Sequence, residues 1–153
     1  MSKVSQRVES NRAEIDSFAL PEETRTYKPV AFASVADALD DVMVGHISDL
    51  DSMGYTDTKA TYYVNPNRTQ MRYERSFHNP QGILGLRAVA QTSSDKSLPI
   101  QYGLEGEVKV CSNGLVASMW EYKSARRHTK YRSMEYGIAA TEAIQNLGPF
   151  LGQ

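Results

Sequence analysis

Between Trp120 and Arg132 the chain reads Trp-Glu-Tyr-Lys-Ser-Ala-Arg-Arg-His-Thr-Lys-Tyr-Arg, which interleaves aromatic rings with Lys123, Arg126, Arg127, Lys130 and Arg132. Single-stranded nucleic acid is held by that mixture. Cations track the phosphates, and flat side chains stack on unpaired bases at about 1–3 kcal/mol each by truncation. The same run also suits a loop and a first helical turn with core rings and a solvated cationic face. Trp120 directly follows the apolar stretch from Leu115 to Met119 and reads as core, whereas Tyr122 and Tyr131 carry no such bias. A second wall for a groove is available upstream in Arg68, Arg72, Tyr73 and Arg75. Because side chains alternate along a strand, Arg72 and Arg75 point to opposite faces, so at most one of them joins the groove unless the strand bulges.

Other chemistry is thinly supplied. Cys111, with Asn113 two residues on and His46, His78 or His128 elsewhere, contains the ingredients of a Cys-His-Asn site, which only geometry can assemble. Cys111 follows Val108-Lys109-Val110 with strand parity, a setting in which a half-buried, inert thiol is the simpler reading. The three histidines show no His-x-x-x-His spacing, so no metal site is expected. Asp37, Asp40 and Asp41 are explained by a solvated helix face as well as by a hard cation. The glycine pairs at Gly82/Gly85 and Gly103/Gly106 lack the lysine and following helix of a phosphate-binding loop, and no cofactor is expected.

The 153 residues carry a formal charge of −1, but the distribution is uneven. Residues 1 to 58 hold 5 Lys/Arg against 11 Asp/Glu, while residues 59 to 153 hold 12 against 7. Val30 to Thr58 contains six aspartates and no Lys or Arg. Segregation of this kind either steers an anionic partner or is neutralised by packing within the chain. With one cysteine there is no disulfide framework, and the length suffices for a core that buries about two-thirds of the unfolded surface. No apolar run approaches the roughly 20 residues of a membrane helix, and the first residues are too polar for a signal peptide, so a soluble, cytoplasmic protein with no membrane partner is expected.

The elements that must position these residues follow from periodicity. Residues 1–28 alternate charges without an apolar stripe and read as an arm or peripheral helix, leaving 29–153 as a single domain. Ser34-Val35-Ala36-Asp37 resembles a capping box, after which Val35, Leu39, Val42, Met43, Ile47 and Leu50 recur at helical spacing until Gly54. From Thr58 the period is two: Tyr62 and Val64, a turn at Asn65-Pro66-Asn67, then Met71, Tyr73, Arg75 and Phe77 predict a hairpin. Further turns at His78 to Gly82, Ser93 to Ser97 and Ser112 to Gly114 separate additional strands, joined too tightly for crossover helices. A helix from about Thr129 to Leu147, stopped by Gly148-Pro149, closes the chain. The expected fold is α+β: a mostly antiparallel sheet of about five strands flanked by an N-terminal amphipathic helix and a C-terminal helix.

Ser93 to Ser97, then Val108-Lys109-Val110-Cys111-Ser112-Asn113-Gly114-Leu115, then Arg127-His128-Thr129 resemble, in order, the motifs of a family of phage/plasmid-like proteins of unknown function. The resemblance covers roughly the C-terminal 60 residues of the 153. It implies a mobile-element protein in a bacterial cytoplasm and marks Cys111, Asn113, His128 and Thr129, without supplying an activity. The first expectation is therefore a non-catalytic phage or plasmid protein that binds single-stranded DNA in replication or recombination and self-associates. Its interface would be Arg68, Arg72, Tyr73, Arg75, Tyr122, Lys123, Arg126, Arg127, His128, Lys130, Tyr131 and Arg132. A second expectation is a protein that binds or inhibits a host factor through its acidic helix, and a third is an enzyme built on Cys111, Asn113 and His128.

Overall fold

The computed structural model describes residues 4, 6–22, 30–52, 54–78, 84–109 and 116–126. Their order is β1 (Val8–Ser10), α1 (Arg12–Ser17), α2 (Phe32–Val44), α3 (Ile47–Ser52), β2 (Thr56–Val64), β3 (Gln70–His78), β4 (Leu84–Ser93), β5 (Ile100–Lys109) and β6 (Val116–Arg126). The six strands form one antiparallel sheet in sequence order, an α+β arrangement with one strand more than the periodicity predicts. The additional strand is β1. Its three residues pair with Tyr62, Tyr63 and Val64, so the segment expected to be an arm or peripheral helix supplies both an edge strand and α1.

The acidic helix begins earlier than its apparent capping box. Ala31 is the N-cap of α2 and makes no side-chain capping bond, and Ser34 lies inside the first turn. Burial of Phe32 against the core moves the start forward, overriding the local preference of serine for a cap. The continuous helix expected up to Gly54 is also divided. Gly45 ends α2, and α3 resumes after His46. At the end of α3, Gly54 adopts φ 90°, its N–H donates to Asp51 O at 3.0 Å, and Tyr55 N–H donates to Leu50 O at 2.9 Å. That pair of bonds is the left-handed glycine stop expected at this position.

Side-chain alternation gives the sheet two faces of different chemistry. Met71, Tyr73 and Phe77 of β3, Leu86, Ala88 and Ala90 of β4, and Ile100, Tyr102 and Leu104 of β5 are buried in one cluster with Val35, Ala36, Leu39 and Met43 of α2. The Tyr102 hydroxyl donates to the backbone oxygen of Val35 at 2.9 Å, fastening α2 to the central strands. The opposite face carries Arg72 and Glu74 of β3, Gln91 of β4, and Gln101 and Glu105 of β5, all buried. The N-terminal chain visits both faces. Val4 N–H donates to Gln91 Oε1 at 3.4 Å and Arg7 pairs with Glu74 at 3.3 Å on the polar side. After β1, Ile15 is buried and Phe18 meets Phe32 edge-on at 5.9 Å on the apolar side.

The expected C-terminal helix, the turn at Ser112 to Gly114 and residues 79–83 of the preceding turn lie outside the described residues. Among those described, no helix is long and apolar enough to cross a membrane.

Leu39 is fully buried at the centre of the α2 contact. Leu39→Ala is expected to lower unfolding free energy by about 2–5 kcal/mol, read as a lower urea midpoint at unchanged slope.

Candidate nucleic-acid interface

An antiparallel meander returns alternate turns to the same end of the sheet. The β2–β3 turn and the β4–β5 turn therefore lie side by side, and β6 finishes next to them because Arg126 is in register with Ile100. In the first turn the Asn65 side-chain oxygen accepts from the N–H groups of Thr69 and Gln70, both at 2.8 Å, and its amide donates to Thr69 Oγ1 at 2.9 Å. This folds Asn65-Pro66-Asn67 into the expected turn and leaves Arg68 exposed at φ 58°. In the second turn Ser93 Oγ donates to Leu98 O at 2.7 Å and accepts from Leu98 N–H at 2.9 Å, and Lys96 is exposed at φ 66°. The two turns are stapled together. Ser94 N–H donates to Thr69 O at 2.8 Å, and Gln70 Nε2 donates to Ser97 Oγ at 2.7 Å.

Of the three non-glycine residues at positive φ among the described residues, two are thus cations in these adjoining turns. Left-handed backbone is uncommon for such side chains and is held here by the surrounding hydrogen bonds. Strands are spaced about 4.8 Å apart, so the two turns and the end of β6 fall within roughly 20 Å along one rim. Lys96 was not among the expected interface residues. Its signal in the sequence is a cation inside a Ser/Asp-rich turn between strands, which marks exposure without marking a neighbour.

The other upstream residues are placed differently. Arg72 has a side chain only 1% exposed, bonded to Glu74 at 2.5 Å, to Glu105, and to Gln91 Oε1 at 3.1 Å. Burial opposes its charge, but Glu105 and Glu74 outweigh that and hold its pKa above the ordinary arginine value. Arg87 reaches the same Glu105 at 3.4 Å. Arg75 points to the opposite face, as strand parity requires, where it pairs with Asp40 at 2.8 Å and with Asp57. The Tyr73 hydroxyl donates to the same Asp40 at 2.7 Å, and burial followed by this bond pushes its pKa above the usual phenol range. Arg72, Tyr73 and Arg75 consequently do not share an open track with Arg68.

The acidic helix is turned into this lattice. Arg12 grips Asp37 through two bonds of 2.8 and 3.0 Å and touches the Tyr62 hydroxyl at 3.3 Å, while Arg75 holds Asp40. Asp41, Asp49 and Asp51 remain exposed. Every arginine with a described side chain, from Arg7 to Arg87, makes an ion pair. Arg87 also reaches Glu74 at 4.0 Å, but Arg68 has no ion pair among the described residues closer than 3.7 Å, to Glu14, and 49% of its side chain is exposed.

On β6, Tyr122 and Lys123 take register positions opposite Leu104 and Gly103, and the strand has β5 on one side only among the described residues. Arg127, His128, Lys130, Tyr131 and Arg132, together with Cys111 and Asn113, lie outside the described residues. His78 ends β3 at the rim opposite Arg126, and among the described residues no three His, Cys, Asp or Glu side chains are grouped to hold a metal. Compared with protein families, with characterised proteins and with solved structures, the chain matches none.

Removing Arg72 takes the closest cation from two buried carboxylates and leaves them only the longer pairs with Arg7 and Arg87. Arg72→Met is expected to lower stability by about 3–5 kcal/mol in chemical denaturation at neutral pH, far more than truncation of an exposed cation such as Lys59.

Proposed function

We propose that the protein binds single-stranded nucleic acid without catalysis, at the sheet rim where Arg68, Lys96 and the end of β6 come together. The observation that carries this reading is the convergence itself. The first basic segment contributes one weakly paired, exposed arginine, and it stands at the rim from which the chain leaves β6 toward Arg127, Lys130 and Arg132. Among the described residues the other arginines from Arg7 to Arg87 are engaged by carboxylates at 3.4 Å or closer, and six of the twelve Lys and Arg of the second part lie at Lys109 and beyond. Phosphates require cations along a path, and Tyr122 and Tyr131 supply aromatic surface on either side of Arg126 and Arg127.

The proposal includes a C-terminal helix from about Thr129, carrying Lys130, Tyr131 and Arg132 onward from the rim, and self-association of copies along a strand. The setting, a phage or plasmid protein acting on DNA in replication or recombination in a bacterial cytoplasm, rests on the three motifs between Ser93 and Thr129. Docking of the acidic helix on a host protein has less support, because Asp37 and Asp40 are already neutralised within the chain.

Fluorescence anisotropy of a labelled oligothymidylate across a salt series tests the reading. Binding should weaken linearly on a log-log scale. Arg126→Ala with Arg127→Ala should reduce the slope by about 1.4, and Arg68→Ala or Lys96→Ala by about 0.7 each. Lys59→Ala, exposed toward the opposite rim, should leave it unchanged. Absence of binding at low salt, or slopes indifferent to the Arg126/Arg127 pair, would overturn it.

A further inference from the structure

A cavity of about 90 Å³ opens beside Arg68, between the end of α1, the start of α2 and the two stapled turns. Phe18, Leu20 and Phe32 form its apolar wall, and Arg68, Ser94 and Asp16 supply its polar atoms. Leu20 is 53% exposed, an apolar side chain left in solvent at the pocket wall.

Resting on the function proposed above, we infer that this pocket receives one unstacked pyrimidine base of the bound strand, with the adjoining phosphate on Arg68. The two halves of the site demand a ligand with two halves. A free phosphate would use Arg68 and leave the phenylalanine wall idle, while an apolar molecule would leave the guanidinium idle. A nucleotide satisfies both, since the base face lies against apolar carbon and its edge can exchange hydrogen bonds with Ser94. Two carboxylates stand nearby, and neither closes the site. Asp16 is held by Arg12 at 3.0 Å, and Glu14 contacts Arg68 only at 3.7 Å with both side chains part-exposed. An exposed pair of that kind is worth little, so a phosphate displaces Glu14 at small cost. The pocket also lies on the proposed path, because Ser94 is two residues from Lys96 in the turn stapled to that of Arg68.

Backbone amide shifts of the isotope-labelled protein, titrated with oligothymidylate and separately with inorganic phosphate, are the first measurement. The second is the affinity of Ala19→Leu, which enlarges an exposed side chain among those lining the pocket. The expected result is that oligothymidylate shifts Ala19, Leu20 and Ser94, phosphate alone does not, and Ala19→Leu weakens binding roughly five- to a hundredfold at an unchanged salt slope. Arg68→Ala should lower the slope instead. If the oligonucleotide binds while those amides stay still, if phosphate alone shifts them equally, or if Ala19→Leu binds like the parent, the base pocket is overturned and the rim interface stands. If the oligonucleotide does not bind, both are overturned.

Discussion

The guanidinium of Arg72 governs the arrangement around it. It is buried on a face of the sheet where water would otherwise solvate it, and it holds Glu74 from its own strand and Glu105 from β5, with Gln91 of the intervening β4 as a third partner. A slip of one residue of β3 against its neighbours would carry Arg72 and Glu74 together into the apolar layer under α2 and leave Glu105 on the other side. The penalty for an unpaired buried charge far exceeds the worth of the pair itself, so the cluster acts chiefly as a register lock. Once β3, β4 and β5 are aligned, Tyr73, Leu86 and Tyr102 face α2, and the turns at Asn65 and Ser93 meet at one rim.

Charge that is segregated along the chain is not segregated in space. Asp37, Asp40 and Asp57 belong to the acidic part of the sequence and Arg75 to the basic part, while Arg12 comes from the N-terminal segment, yet they interlock on one flank of α2. Packing therefore neutralises part of the apparent dipole within a single chain. Among the described residues, exposed Arg68 and Lys96 stand at one rim, so positive charge is more localised there than the composition suggests.

What was legible in the sequence was local. Alternation from Tyr62 to Phe77 around Asn65-Pro66-Asn67 defines the central hairpin, and strand parity separates Arg72 from Arg75 correctly. Ser34 misleads because a serine three residues before an acidic one looks like a cap in isolation, whereas burial of Phe32 decides where the helix begins. β1 was missed because three residues are too few to establish a period, and their partner strand ends at Val64, far along the chain. The fate of the arginines was out of reach for the same reason. Glu105 is 33 positions from Arg72 and Asp37 is 25 from Arg12, and nothing local announces such pairs.

The pairing of β1 has a consequence for synthesis. Among the described strands, β3 to β6 can each close on the neighbour made just before, but Val8–Ser10 precedes its partner and cannot pair until Val64 has followed it. Until then Ile15 and Phe18 have no β-sheet core to enter, although α2 can already shelter part of them. The segment around β1 is thus made before its partner strand and among the last to settle, fastening both faces only after the hairpin exists.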